Sequence, residues 1–127
     1  MAVRDLDIAV NRYSGVLGVQ PDLIPPQHYV YPGLKGARFH IGDVNISLVA
    51  SEKAGSPISR FIETRGEGVN HISLEVDDIE QTIIDLTAQG VRFATDQPQE
   101  YPDGKVIFAH PKSFHGVQIA LVETNQD

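Results

Sequence analysis

The sequence predicts an α+β protein made of paired βαβββ modules whose mixed sheet curls around a pocket. Three observations predict it: an internal repeat at a single offset, one amphipathic helix in each half, and short alternating runs around those helices. Residues 3–10 read Val-Arg-Asp-Leu-Asp-Ile-Ala-Val and residues 76–83 read Val-Asp-Asp-Ile-Glu-Gln-Thr-Ile, 73 positions apart. Residues 44–49, Val-Asn-Ile-Ser-Leu-Val, and residues 117–122, Val-Gln-Ile-Ala-Leu-Val, repeat the same spacing. Either block alone is weak, since apolar alternation recurs by chance. A shared offset across the intervening chain points to two copies of one plan.

Each element follows from local signals. Asp5 can cap a helix whose apolar face carries Leu6, Val10, Tyr13 and Leu17, with Gly18 at its end. Pro25 and Pro26 confine a strand over 24–31 to an edge or a loop, because proline donates no ladder hydrogen bond. Alternating runs over 37–41 and 44–50 read as strands. Ser56-Pro57 opens a short helix through Ile58, Phe61 and Ile62 that links the halves. The second half repeats the scheme with strands over 69–76, 91–94, 105–110 and 117–123. Its helix starts at Asp77, with Glu80 three residues on as in a capping box, and runs through Ile79, Ile83 and Leu86 to Gly90. The first module spans 1–63 and the second 64–127. At the offset of 73 the first strand of the first module keeps only Met1-Ala2-Val3.

Composition removes several function classes. The chain has 127 residues and no cysteine, so disulfide frameworks, zinc ribbons and thiol nucleophiles are excluded. Its 10 basic and 17 acidic residues give a net charge of −7 with no basic run, which argues against nucleic acid as a partner. Apolar runs fall far short of the ~20 residues that cross a bilayer, and no charged-then-apolar leader opens the sequence. The expectation is a cytoplasmic protein that acts on a small molecule, with no membrane partner.

Strand alternation sorts the candidate site residues. Ile72, Leu74 and Val76 should pack under the second helix, which turns His71, Ser73 and Glu75 to the free face. Val44, Ile46 and Leu48 should pack under the first helix, which turns Asn45, Ser47 and Val49 outward. By the same logic Gln118, Ala120 and Val122 line the matching strand. His71 can bind a metal or move protons near neutral pH, against the plainer reading of a histidine that bonds a neighbour. His28 and His40 read as surface or loop residues. His110 and His115 flank a turn and read as structural, although they could converge on a ligand. Asp77 is more simply a helix cap than a partner of Glu75. No HExxH, GxSxG, P-loop or dinucleotide pattern is present.

The run Gly66-Glu67-Gly68-Val69-Asn70-His71-Ile72-Ser73-Leu74-Glu75-Val76-Asp77-Asp78-Ile79 resembles the centre of methylmalonyl-CoA epimerases. Ser56-Pro57-Ile58 with Phe61-Ile62, and His110-Pro111-Lys112-Ser113 followed by Gly116-Val117 and Ile119, are similar too. The resemblance places the chain with the vicinal oxygen chelate (glyoxalase/bleomycin-resistance) superfamily and implies a glyoxalase-like fold, commonly a homodimer. It also implies a divalent metal held by four side chains, a His on each first strand and a Glu or Gln on each last strand. That metal polarises a carbonyl while a carboxylate moves the proton. Carried over residue by residue, His71 matches one ligand, Ser47 and Ala120 fall at two more, and the fourth position lies before Met1. One ligand of four remains, too few to hold a catalytic metal, so no metal residues are assigned. The expectation is an epimerase-like isomerase or lyase with a degenerate metal site. It binds a small organic acid or a CoA-thioester-type ligand, with His71 and Glu75 as acid or base and Asn45, Ser47, Ser73, Gln118 and Ala120 lining the pocket. Two alternatives stay open: metal-free sequestration of a ligand, as in the bleomycin-resistance branch, and a domain kept for dimer contacts.

Overall fold

The computed structural model describes residues 1–29 and 31–125, and these divide into two compact units, Met1–Asn70 and His71–Asp127. The first unit contains α1 (Leu6–Leu17), β1 (Asp22–Ile24), β2 (Leu34–Ile41), β3 (Val44–Ser51) and α2 (Pro57–Arg65). The second contains β4 (Ile72–Glu75), α3 (Ile79–Ala88), β5 (Gln99–Tyr101), β6 (Gly104–Ala109) and β7 (Ile119–Thr124). The fold is α+β, with three α-helices and two sheets among the described residues, the sheets ordered β1-β2-β3 and β4-β7-β6-β5.

In the first unit Asp5 caps α1 by accepting from the Ile8 amide, and Gly18 closes it at φ 73°, a left-handed conformation that glycine adopts without Cβ strain. Val3 and Leu6 join Ala37, Phe39, Leu48 and Ala50 in a buried cluster, so α1 and one face of the β2–β3 hairpin share a core. Gly42, at φ 58°, is the first central residue of the two-residue turn that pairs Ile41 with Val44 and fixes that register. Val44 does not pack under α1 as expected; it sits at this turn and is exposed. Ala2 bridges Val49 in parallel and Gly68 antiparallel, at the place of the expected first strand. The repeat reappears as geometry, because Ala2↔Val49 displaced by 73 is Glu75↔Val122, a parallel pair of β4 and β7.

Four local expectations are corrected. The strand expected over 24–31 is instead Asp22–Ile24 followed by a 3-10 turn, Pro26–His28, because Pro25 and Pro26 suit the start of a turn and cannot donate to a ladder; Val30 lies outside the described residues. The run 91–94 makes only the bridge Phe93↔Ala109, and the ladder position is taken by β5, which a two-residue Pro102-Asp103 turn joins to β6. The cap of α3 is Asp78, not Asp77: Asp78 accepts from the Gln81 amide, while Glu80 is paired with Lys105 at 2.7 Å. Ile72 and Leu74 do lie opposite Ile119 and Leu121 on the helix side of their sheet. Yet they remain 46% and 49% exposed, because α3 centres Ile79 over Ile107 and Leu121 and leaves β4 at the sheet edge.

Candidate functional site

Each sheet turns one face away from its module's helix, and register decides what that face carries. In the second unit Ser73 pairs with Ala120 and Glu75 with Val122, so these share a face with Phe108, which pairs with Ala120 from β6. His71 stands at the head of β4, and its ring meets that of Phe108 edge-on with centroids 5.3 Å apart. Burial holds the His71 imidazole below its ordinary value, because a desolvated site disfavours the charged form. Neutral imidazole keeps a lone pair that can accept a proton. The Gln118 carbonyl accepts from the Ile72 amide, which sets Gln118 beside the start of β4. Glu75 accepts from the Thr124 hydroxyl at 2.6 Å. Glu75 stands four positions along the chain from His71, roughly 13 Å at strand rise between backbone positions.

In the first unit Asn45 and Ser47 share a face with His40 and Arg38, their register partners. This face is not wholly free, since α2 and Tyr29 cover its far end. Ile58, Phe61, Ile62 and Tyr29 pack there with Leu34, Val49 and Ala2. Val49, expected to line the site, belongs to this packing. His40 is an exposed residue on β2, at the surface but not in a loop: Nε2 meets the Asp22 carboxylate at 2.8 Å and Nδ1 meets the Asn45 side-chain oxygen at 2.6 Å. His28 lies in the 3-10 turn, with Nδ1 buried and unpartnered among the described residues. His110 and His115 bound the turn Pro111–Phe114, His110 accepting from the Lys112 amide and His115 supplying a left-handed residue at φ 57°, so their role there is structural.

Arg38 and Tyr29 were missed by sequence reasoning, although the hairpin register over Gly42 could have placed Arg38 opposite Ser47. A recess of about 580 Å³ between Met1–Arg4 and α1 is lined by none of the expected site residues. A smaller one of about 330 Å³ is basic, lined by Arg92, His110 and Lys112.

The donors do not fit the implied divalent metal. At the positions the resemblance assigns stand His71, the Ser47 hydroxyl and the buried methyl of Ala120, which is 1% exposed. Among the described residues, Asp78, Glu80 and Glu123 do converge within 4.8 Å. Each already has a partner, namely the Gln81 amide, Lys105 and the Ile79 amide. Glu123 thus faces α3 and helps cap it.

Two modules on one plan, with a histidine at the head of the second module's first strand, define a glyoxalase-like protein. The glyoxalase/bleomycin resistance protein/dioxygenase superfamily pattern matches residues 1–108, and the chain belongs to that superfamily. It is 33% identical over 125 residues to the mitochondrial methylmalonyl-CoA epimerase of Mus musculus, covering 95% of this chain and 68% of that protein. The crystal structure of methylmalonyl-CoA epimerase from Mycobacterium tuberculosis is similar with a TM-score of 0.82 and 29% identity, over 98% of this chain and 83% of that one. A variant of the Streptomyces coelicolor epimerase in complex with 2-nitronate-propionyl-CoA is similar with a TM-score of 0.81 and 26% identity, over 97% and 91% of the two chains.

Proposed function

We propose that the protein binds a CoA-thioester-type organic acid and, as an epimerase-like isomerase, moves the proton on the carbon beside the thioester without a chelated divalent metal. The observation that carries this reading is His71: an imidazole kept neutral by burial, on the face away from α3, beside Phe108 and the small side chains of Ser73 and Ala120. Neutral imidazole is the one group there that can accept a proton near pH 7 and return it. Glu75, whose carboxylate accepts from the Thr124 hydroxyl, serves as a ligand contact or a proton exit. The basic recess at Arg92 and Lys112 suits the phosphates of a CoA-type ligand. The resemblance implies a homodimer, and equilibrium sedimentation checks the stoichiometry.

Incubation with methylmalonyl-CoA in deuterated buffer, with and without added cobalt, tests the reading. Deuterium should enter the carbon beside the thioester at equal rates in both, and His71→Gln should abolish it. Absence of exchange in both, with binding retained in calorimetry, would leave the second reading, sequestration without turnover. That reading is favoured by the aromatic edge of Phe108 against His71, since an apolar wall holds a ligand without assisting proton transfer.

A further inference from the structure

Arg38 lies between Ser47 on β3 and Asp22 on β1, its register partners. Directly opposed residues of an antiparallel pair have Cβ atoms about 5 Å apart, so Asp22 is the natural counter-ion. It is engaged elsewhere, because its carboxylate lies 2.8 Å from Nε2 of His40, which Asn45 holds from the other side. Among the described residues no carboxylate pairs with Arg38, in a chain where acidic residues outnumber basic ones 17 to 10. The other two half-buried cations, Lys35 and Lys105, each pair with a carboxylate. Its neighbour Tyr29 is in the same condition: its hydroxyl is buried and, among the described residues, has no hydrogen-bond partner, and it lies over Gly36 where a Cβ would collide with it. Burial pushes the Tyr29 phenol up to about 12, against the pull of the Arg38 charge, so it remains a donor throughout the neutral range. A guanidinium and a phenol hydroxyl without acceptors, side by side on the face that also carries Asn45 and Ser47, match a carboxylate.

We propose that Arg38 and Tyr29 recognise the free carboxylate of a malonyl-type acyl ligand, and that His40 is a positioning residue that keeps Asp22 from neutralising Arg38. The carboxylate site is built from residues of the first unit alone and rests on the reading above only for the thioester character of the ligand.

Calorimetric titration with methylmalonyl-CoA, propionyl-CoA, CoA and free methylmalonate tests it. The native protein should prefer methylmalonyl-CoA over propionyl-CoA, which lacks the free carboxylate, by roughly ten- to a hundredfold, the range for hydrogen bonds to charged groups. Arg38→Gln should abolish that preference and leave CoA binding unchanged, and Tyr29→Phe should weaken it several-fold. His40→Ala should weaken methylmalonyl-CoA binding by releasing Asp22, and Asp22→Asn added to it should restore binding, a rescue that a merely structural histidine would not show. Retained preference in Arg38→Gln, or an equal loss for CoA alone, would overturn the assignment. Should the native protein bind no thioester yet bind methylmalonate in an Arg38-dependent way, the carboxylate site stands and the thioester reading falls. Binding of methylmalonate that is absent, or indifferent to Arg38, removes the site itself.

Discussion

His71 couples its chemistry to the stability of the fold. Its folded pKa lies below the ordinary 6.5 because burial penalises the imidazolium. The unfolded chain therefore takes up a proton more readily than the native one as pH falls through that value. Stability from this group is complete above about pH 6.5 and declines as pH drops toward the lowered value. Urea denaturation at about pH 7.5, 6.5 and 5.5 should show this loss in the native sequence and a flatter profile in His71→Gln. An unchanged slope in the variant would move the coupling to another group. The sequence made the face of His71 legible, because alternation alone sets His71, Ser73 and Glu75 on one side. It did not make the partners legible: only the structure shows the His71 ring edge-on to Phe108 and the Glu75 carboxylate accepting from Thr124. Nor could spacing show that His40 would spend both ring nitrogens on Asp22 and Asn45, since Asp22 arrives from a strand whose sequence, Asp-Leu-Ile, has no alternation to announce it.

At the scale of elements, the parts readable in advance were those whose signals are local. Asp5 and Gly18 bound α1 because a cap and a left-handed glycine act within one turn of their own helix. The cap of α3 slipped by one position because Asp77 and Asp78 are chemically equivalent candidates, and the choice falls to the one whose carboxylate reaches the Gln81 amide. β5 was missed because Gln99-Glu100-Tyr101 has no apolar period; its pairing comes from the tight turn into β6. β2 owes its close packing to Gly36, whose backbone is not left-handed and whose value is space. A Cβ there would collide with the Tyr29 hydroxyl and lie 2.8 Å from the Leu48 carbonyl oxygen. Gly36→Ala should destabilise the protein by about 1–3 kcal/mol, the usual cost of overpacking. Combining it with Tyr29→Phe should cost less than the sum of the two, because the phenylalanine removes the nearest colliding atom. Strictly additive values in chemical denaturation would show that Tyr29 does not limit the space at Gly36.

At the scale of the whole molecule, the repeat preserves the plan while its two copies diverge in chemistry. The same register that sets Arg38 against Ser47 in the first unit sets Phe108 against Ala120 in the second, so equivalent sites carry a guanidinium and an aromatic ring. The metal ligands implied by the resemblance are lost in the same manner, as Ser47 and Ala120 stand on the last strand of each unit with no carboxylate or amide to offer. This divergence makes a thermodynamic prediction about the intact protein. An ion that binds only the native state at a hundred times its dissociation constant would add about 2.7 kcal/mol of stability. For a domain of this size that is a rise in Tm of roughly 10 °C. Millimolar cobalt, zinc, manganese or magnesium should instead move Tm by less than about 1 °C, and dialysis against EDTA should leave both Tm and proton exchange unchanged. A large stabilisation by one of these ions that disappears in His71→Gln would mean that donors from other positions complete a site around that imidazole, and the metal-free mechanism would have to be abandoned.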